Sequence, residues 1–227
     1  MIHRHIWIEL FDLKGCDHQA WRDWYDQTVL VPRARQRGVT LARRGSGLAD
    51  RLVPAASGEE LEIAVYEVVD ADRTIDWVRE VDASGDAAID SAFRDGSRRS
   101  YRQLSSTLEP YEPPGSEILH GGFFEVLAEH HAEFNAWYEQ EHIAEQLRVP
   151  GYLSVRRFQG EPDPDRFVAL YDVATLESTY SAEASAALSS PWGDRLRTTL
   201  VTSRARRLFR VERLERGATL ARKPRGR

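Results

Sequence analysis

The chain repeats itself. Residues 18–44 read HQAWRDWYDQTVLVPRARQRGVTLARR, and residues 131–157 read HAEFNAWYEQEHIAEQLRVPGYLSVRR, at a constant offset of 113 positions. Trp24-Tyr25 matches Trp137-Tyr138, Gly38 matches Gly151, and Arg43-Arg44 matches Arg156-Arg157. Such self-similarity constrains architecture more than any single motif. Each copy must fold as one supersecondary unit, and the two must bury each other's open surface. The differences between the copies then point to chemistry: Arg22 stands opposite Asn135, and Val29 stands opposite His142.

Both copies give the same order of elements. A β-rich run (5–13 and 118–127) leads into a helix with an aromatic face (17–36 and 130–148). Two strands follow (38–45 and 61–69; 151–159 and 166–173). A second helical stretch, broken near a Gly or Pro, comes next (71–97 and 175–199), and a last strand closes each half (100–109 and 203–214). Between the halves, the segment EPYEPPGSE reads as an extended linker. The expected organisation is a diverged scaffold half over 1–109, a linker over 110–116, a site-bearing half over 117–215, and a basic disordered tail over 216–227.

The order βαββαβ is the ferredoxin-like split unit. A four-stranded antiparallel sheet with helices on one face leaves its other face bare, and two such units packed sheet to sheet enclose a β-barrel. The expected fold is therefore α+β, an intramolecular dimeric α/β barrel whose interior is the natural small-molecule pocket. A homodimer of this pseudo-dimeric chain is a further expectation.

Composition narrows the partners. No apolar run approaches the ~18 residues of a spanning helix, so no membrane partner is expected. The N-terminal MIHRHIWIELFDL reads as a strand and lacks the apolar core and cleavage site of a signal peptide. Cys16 is the only cysteine, which fits a reducing, cytoplasmic setting. The net charge of −5 hides ten basic and two acidic residues in 204–227. The remaining body is acidic and would repel a phosphate backbone, so no nucleic-acid partner is expected. The sequence holds no CxxC or HExxH pair, no carboxylate-rich loop, no GxGxxG or P-loop and no GxSxG, so neither a metal nor a nucleotide cofactor is expected.

The chemistry concentrates on the first helix of the second half. At about 100° per residue, Phe134, Trp137, Glu141 and Ala144 share one face. His131, Asn135, Tyr138 and His142 form the adjacent stripe, a richer polar seam than burial alone requires. Val29 at the equivalent position shows that packing does not demand His142. The candidate catalytic residues are His142, Tyr138 and Asn135, with the histidine suited to proton transfer near neutrality. His18 and His131 occur in both copies near a helix start and read as structural. His120, in a strand, and the aromatic residues Tyr152, Tyr171 and Trp192 are candidate pocket residues, together with Arg157.

The segment EFNAWYEQEHIAEQLRVPGYLSVRRF resembles the EthD-like branch of the dimeric α/β-barrel superfamily. The resemblance runs through Phe134, Trp137, Tyr138, His142, Ile143, Val149, Pro150, Gly151, Tyr152, Arg156 and Arg157, and extends to Val168–Tyr171 and Ser190–Trp192. Ala144 departs from the usual Pro, and the first half lacks the histidine, which implies one competent site per chain. The resemblance implies a ferredoxin-like barrel and, by analogy, a histidine acid–base. Three functions compete: a cofactor-free enzyme working by proton transfer on a hydrophobic carbonyl or phenolic metabolite (isomerase, cyclase, lyase or cofactor-free monooxygenase), a haem enzyme with an axial histidine, and a non-catalytic small-molecule-binding protein.

Overall fold

The computed structural model describes residues 4–52, 60–69, 93–199 and 201–217. Eight strands form the frame: β1 (His5–Asp12), β2 (Val39–Gly47), β3 (Leu61–Val68), β4 (Phe93–Ser106), β5 (Ile118–Val126), β6 (Tyr152–Glu161), β7 (Arg166–Val173) and β8 (Val201–Arg216). They close into a barrel in the order β1-β3-β2-β8-β5-β7-β6-β4, with antiparallel pairings. The first four strands are neighbours in the order β4-β1-β3-β2 and the last four in the order β8-β5-β7-β6. The seams between these sets are β2–β8 and β4–β6. Registers correspond across the sets: Trp7 pairs with Tyr66 as His120 pairs with Tyr171, and Glu9 pairs with Ala64 as Gly122 pairs with Ala169.

Alternating side chains divide each strand between two layers. One layer fills the barrel with Ile6, Ile8, Ile63, Val65, Tyr101, Leu119, Phe158, Val168, Leu170 and Phe209. The other lies under the helices, and includes Trp7, Phe11, Ala64 and Tyr66 in one cluster and Ile118, Val126, Ala169, Tyr171 and Val173 in another.

The helix of the first half begins with α1 (His18–Tyr25), where the Asp17 carboxylate accepts from the Ala20 N–H at 3.0 Å. A π-helical turn (Asp26–Leu30) carries it into α2 (Val31–Ala34). The second half repeats this with α3 (His131–Trp137), a π-helical turn (Tyr138–His142) and α4 (Ile143–Arg148). His18 Nε2 meets the Leu13 carbonyl at 3.2 Å and His131 Nε2 meets the Val126 carbonyl at 2.9 Å. Both histidines tie a helix start to the strand before it.

Several boundaries differ from expectation. Residues 93–97 belong to β4 rather than to a helix, and the rest of the stretch expected as helical over 71–97 lies outside the described residues. The stretch 175–199 forms a 3-10 turn (Glu177–Tyr180), α5 (Ala182–Ala186) and α6 (Pro191–Thr199); Pro191, unable to continue a preceding helix, opens α6. β8 runs to Arg216, so the basic stretch from Arg204 to Arg216 is barrel strand, and the expected tail beyond Gly217 lies outside the described residues.

The linker does more than span a gap. The Tyr111 hydroxyl donates to Asp172 Oδ2 at 2.7 Å, and Ser116 Oγ donates to Oδ1 at 3.0 Å. Asp172 lies inside the barrel, where Ser154 Oγ also donates to it at 2.6 Å and Arg43 at 2.8 Å. Burial alone would raise this carboxyl, but Arg43 and Arg156 hold it at about 2. Arg156 pairs with Glu67 at 2.5 Å. The two ion pairs are reciprocal, each joining an arginine of one half to a carboxylate of the other. No helix among the described residues is long and apolar enough to cross a membrane.

Candidate functional site

The barrel interior was the expected pocket, but His142 does not face it. Its midsection is packed with the aliphatic and aromatic residues named above, and its two mouths hold separate cavities of about 390 and 320 Å3. His142 instead lines a cavity of about 440 Å3 between the outer face of β5, β7 and β8 and the helices of the second half. The reason is parity. Ile118 and Val126 of β5 pack in the helix-side core while Leu119 packs inside the barrel, so His120 and Gly122 stand on the helix side.

The π-helical turn sets the geometry of the helix. The Ile143 N–H donates to the Tyr138 carbonyl, five residues back, and widens the turn by one residue. His142 thereby stacks on Trp137, with ring centroids 4.3 Å apart and planes at 20°. In an uninterrupted α-helix, residues five apart point about 140° away from each other. Ala144, expected on the same face as Phe134 and Trp137, is exposed, and Gln146 is buried in its stead. Glu141 is half-buried and accepts from Trp137 Nε1 at 3.1 Å and from Ser190 Oγ.

His142 is 4% exposed, and its Nδ1 is buried without a hydrogen-bond partner. Burial, then the positive fields of Arg197 and Arg157, hold its pKa down at about 3. The imidazole is therefore neutral at physiological pH. Tyr138 meets its ring edge-on at 5.1 Å, and the Tyr138 and Tyr171 hydroxyls lie 3.4 Å apart. Burial raises both phenols, Tyr138 to about 12.

His120 stacks on Tyr171, with centroids 4.8 Å apart. Its two nitrogens are both engaged. Arg206 Nε lies 3.3 Å from Nε2, and Tyr152 Oη lies 3.2 Å from Nδ1. A guanidinium N–H only donates, so Nε2 must accept and Nδ1 carries the proton. Burial, Arg206 and His142 push its pKa well below the ordinary value. His120 is thus fixed in one neutral tautomer, and its lone pair is already spoken for.

The remaining sequence candidates separate. Tyr171 lines the cavity beside His120 and His142. Tyr138 and Tyr152 support that trio through the contacts just described. Asn135 and Arg157 lie behind Tyr138: Arg157 donates to Asn135 Oδ1 at 2.6 Å and to Glu139 at 2.9 Å, and its guanidinium covers the Tyr138 ring at 4.1 Å. Trp192 sits on α6, with Nε1 3.3 Å from Glu133, away from the cavity lining. Sequence reasoning missed Gln146, Arg197, Arg204 and Arg206, all of which line the cavity. The signal for the last two was the arginine-rich run SRARRLFR with its two-residue alternation.

Among the described residues, the same place in the first half is packed with side chains. Register puts Trp7, Glu9 and Tyr66 where the second half has His120, Gly122 and Tyr171, and the helices put Tyr25, Val29 and Arg33 where it has Tyr138, His142 and Gln146. Glu9, fully buried, accepts from Tyr25 at 2.5 Å, from Trp7 Nε1 at 3.0 Å, and from Arg33 Nη1 at 3.0 Å on both oxygens. Tyr66 lies 2.7 Å from Tyr25. Gly122 itself has no side chain, and the Phe124 ring leans over it at the edge of the cavity.

No protein-family model matches the sequence, and no curated protein matches it. Solved structures do match the fold. A candidate monooxygenase from Fusobacterium nucleatum subsp. nucleatum superposes with a TM-score of 0.64 at 12% identity, over 94% of each chain. An anthrone oxidase-like protein gives 0.69 at 11% identity, over 95% of this chain and 94% of that one. A candidate chlorite dismutase gives 0.60 at 12% identity, over 92% and 94%. At these identities the likeness establishes the architecture, a dimeric α/β barrel.

Proposed function

We propose that the chain is a tandem of two ferredoxin-like units, akin to the EthD-like branch, and that its second unit is a small-molecule enzyme working by cofactor-independent proton transfer. The carrying observation is the cavity that joins a neutral, buried His142 to Tyr171, among Phe124, Phe134, Trp137 and Leu196. Apolar walls with a few convergent polar groups suit a hydrophobic metabolite bearing a carbonyl or phenol. The neutral imidazole keeps the lone pair a base needs. It accepts a proton from a carbon or hydroxyl beside the substrate carbonyl, and the electron pair moves to the oxygen. The Arg206 guanidinium stabilises the resulting enolate or phenolate without giving up a proton. The proton then returns from the imidazolium to the product. In the empty cavity the base is weak; an anion beside it offsets Arg197 and Arg157 and raises its basicity. The structural neighbours, among them a candidate monooxygenase and an anthrone oxidase-like protein, support a small-molecule role.

The test measures hydrogen–deuterium exchange at acidic C–H groups of anthrone and related carbonyl compounds in D2O by NMR. Positioned acid–base catalysis contributes roughly 10²–10⁴-fold, so His142→Gln should lose about that much of the protein-catalysed rate. An exchange rate within twofold of the parent would transfer the role elsewhere.

The haem reading does not fit the residues as they stand. An axial imidazole ordinarily donates its second nitrogen to a neighbour. His142 Nδ1 has no such partner among the described residues, and both nitrogens of His120 are engaged. Addition of haemin should give no histidine-ligated Soret band. Among the described residues the closed barrel leaves no free strand edge, so a homodimer would pair through helices or loops.

A further inference from the structure

At the equivalent position the first half holds a buried carboxylate, Glu9. Glu9 is met by a chain of donors: Tyr66 lies 2.7 Å from Tyr25, and Tyr25 donates to Glu9 at 2.5 Å. The proton of Tyr25 is committed to the carboxylate, so Tyr66 donates in turn to Tyr25. Arg33 supplies the countercharge. In the second half the tyrosines are kept as Tyr138 and Tyr171, but Gly122 takes the place of Glu9. Among the described residues neither hydroxyl meets an acceptor other than its partner tyrosine. One phenolic proton is therefore left without a destination beside an open cavity.

The countercharge has moved rather than vanished. Gln146 replaces Arg33, while Arg197, Arg204 and Arg206 line the cavity from α6 and β8, and no carboxylate lies among its described lining residues. Arg197 is paired with Asp194, and Arg206 is paired with Asp50 at 3.0 Å. Arg204 is exposed and has no ion-pair partner among the described residues. The wall that remains is apolar: Phe124, Phe134, Trp137, Leu188 and Leu196.

We infer that the cavity takes a hydrophobic carboxylate, with its head group between Tyr171, which Tyr138 backs, and the arginines of β8, as the counterpart of the Glu9 carboxylate in the first half. This names the substrate class for the small-molecule reading above and rests on it. The acidic head anchors the molecule, and its apolar body lies along Trp137 and Leu196 toward His142. Any carbon acid that the imidazole deprotonates would then belong to a substrate that already carries one negative charge.

The experiment compares 2-naphthoate with 2-naphthamide, an isosteric pair differing in charge, by quenching of tryptophan fluorescence at pH 8 and by calorimetry. Hydrogen bonds to a charged group outweigh those to a neutral one enough to predict about ten- to hundredfold tighter binding of the naphthoate. Gln146→Arg, which restores the cation found at Arg33, should strengthen naphthoate binding several-fold and leave naphthamide unchanged. Arg206→Gln should weaken the naphthoate alone. Equal affinity of the parent for both probes overturns the carboxylate assignment while leaving a small-molecule site in place. Equal effects of both variants on the two probes overturn it as well. Failure of both probes to bind at millimolar concentration overturns the assignment together with the reading it rests on.

Discussion

Glu9→Gln should be among the most damaging conservative changes available in this chain, although it lies outside the proposed site. The side chain keeps its length, but Trp7 donates to one carboxylate oxygen and Tyr25 to the other, so the amide keeps one of these bonds and loses the other. The countercharge of Arg33 is lost. Glu9 is fully buried and Arg33 is 8% exposed, with Nη1 3.0 Å from both carboxylate oxygens. At that separation the Coulomb term is about 5–6 kcal/mol with an effective dielectric of ~20. Breaking one partner of a buried pair costs about 3–5 kcal/mol in practice, because the remaining charge is stranded. For a protein of this size that corresponds to a fall in Tm of about 6–20 °C. Urea unfolding followed by circular dichroism gives the free energy, and calorimetry gives the Tm. The pair Glu9→Leu with Arg33→Met removes both charges and should recover most of the loss. A cost below about 1 kcal/mol for Glu9→Gln, or no recovery in the double variant, would refute the view that this ion pair closes the first half.

Stability should fall as pH drops from about 6.5, because His120 and His142 titrate below the ordinary value in the folded state and regain it on unfolding. The unfolded chain then binds more protons, so at pH 5 His142 alone removes about 2 kcal/mol and His120 acts in the same direction, and His142→Phe should flatten part of that slope in urea titrations at pH 7, 6 and 5. Gly122→Ala should weaken ligand binding with little change in stability: an added Cβ would meet the Phe124 ring at 2.9 Å and push it into the cavity. Unchanged affinity in a fluorescence titration would mean the ring moves elsewhere. Cleavage of an engineered protease site within 110–116 should leave the halves associated on size exclusion, held by the β2–β8 and β4–β6 seams. Elution of separate folded halves would contradict the closed barrel.

The barrel was legible because a long-range repeat and period-two strands survive in the residue order. The location of the cavity was not. Alternation in β5 shows that His120 and Leu119 face opposite ways, but only the packed helices decide which side encloses space. The π-helical turn was equally hidden: it moves His142 onto Trp137 and Ala144 into solvent, and no residue in YEQEH announces it. Arg204 and Arg206 were read as part of a last strand and not as cavity residues, because the groups they meet lie far earlier in the chain, as in the bond from Arg206 to His120, 86 positions away. Glu9 and Arg33 are 24 positions apart and gave no local sign of pairing. His142 stood out because its counterpart is Val29, a contrast that needs nothing beyond the two aligned segments.

The reciprocal ion pairs inside the barrel carry a different consequence. Arg43 answers Asp172, and Arg156 answers Glu67. The two locks use the same chemistry, so they do not distinguish one half from another copy of itself. Arg43 of one molecule would find an equally good mate in Glu67 of a second. Discrimination falls to the tether. A short connection of about seven residues holds the correct partner at an effective concentration in the millimolar range, far above that of any free chain. Lengthening the segment around Tyr111 with flexible residues should dilute that advantage, and exchange of halves between chains into larger assemblies should rise with protein concentration.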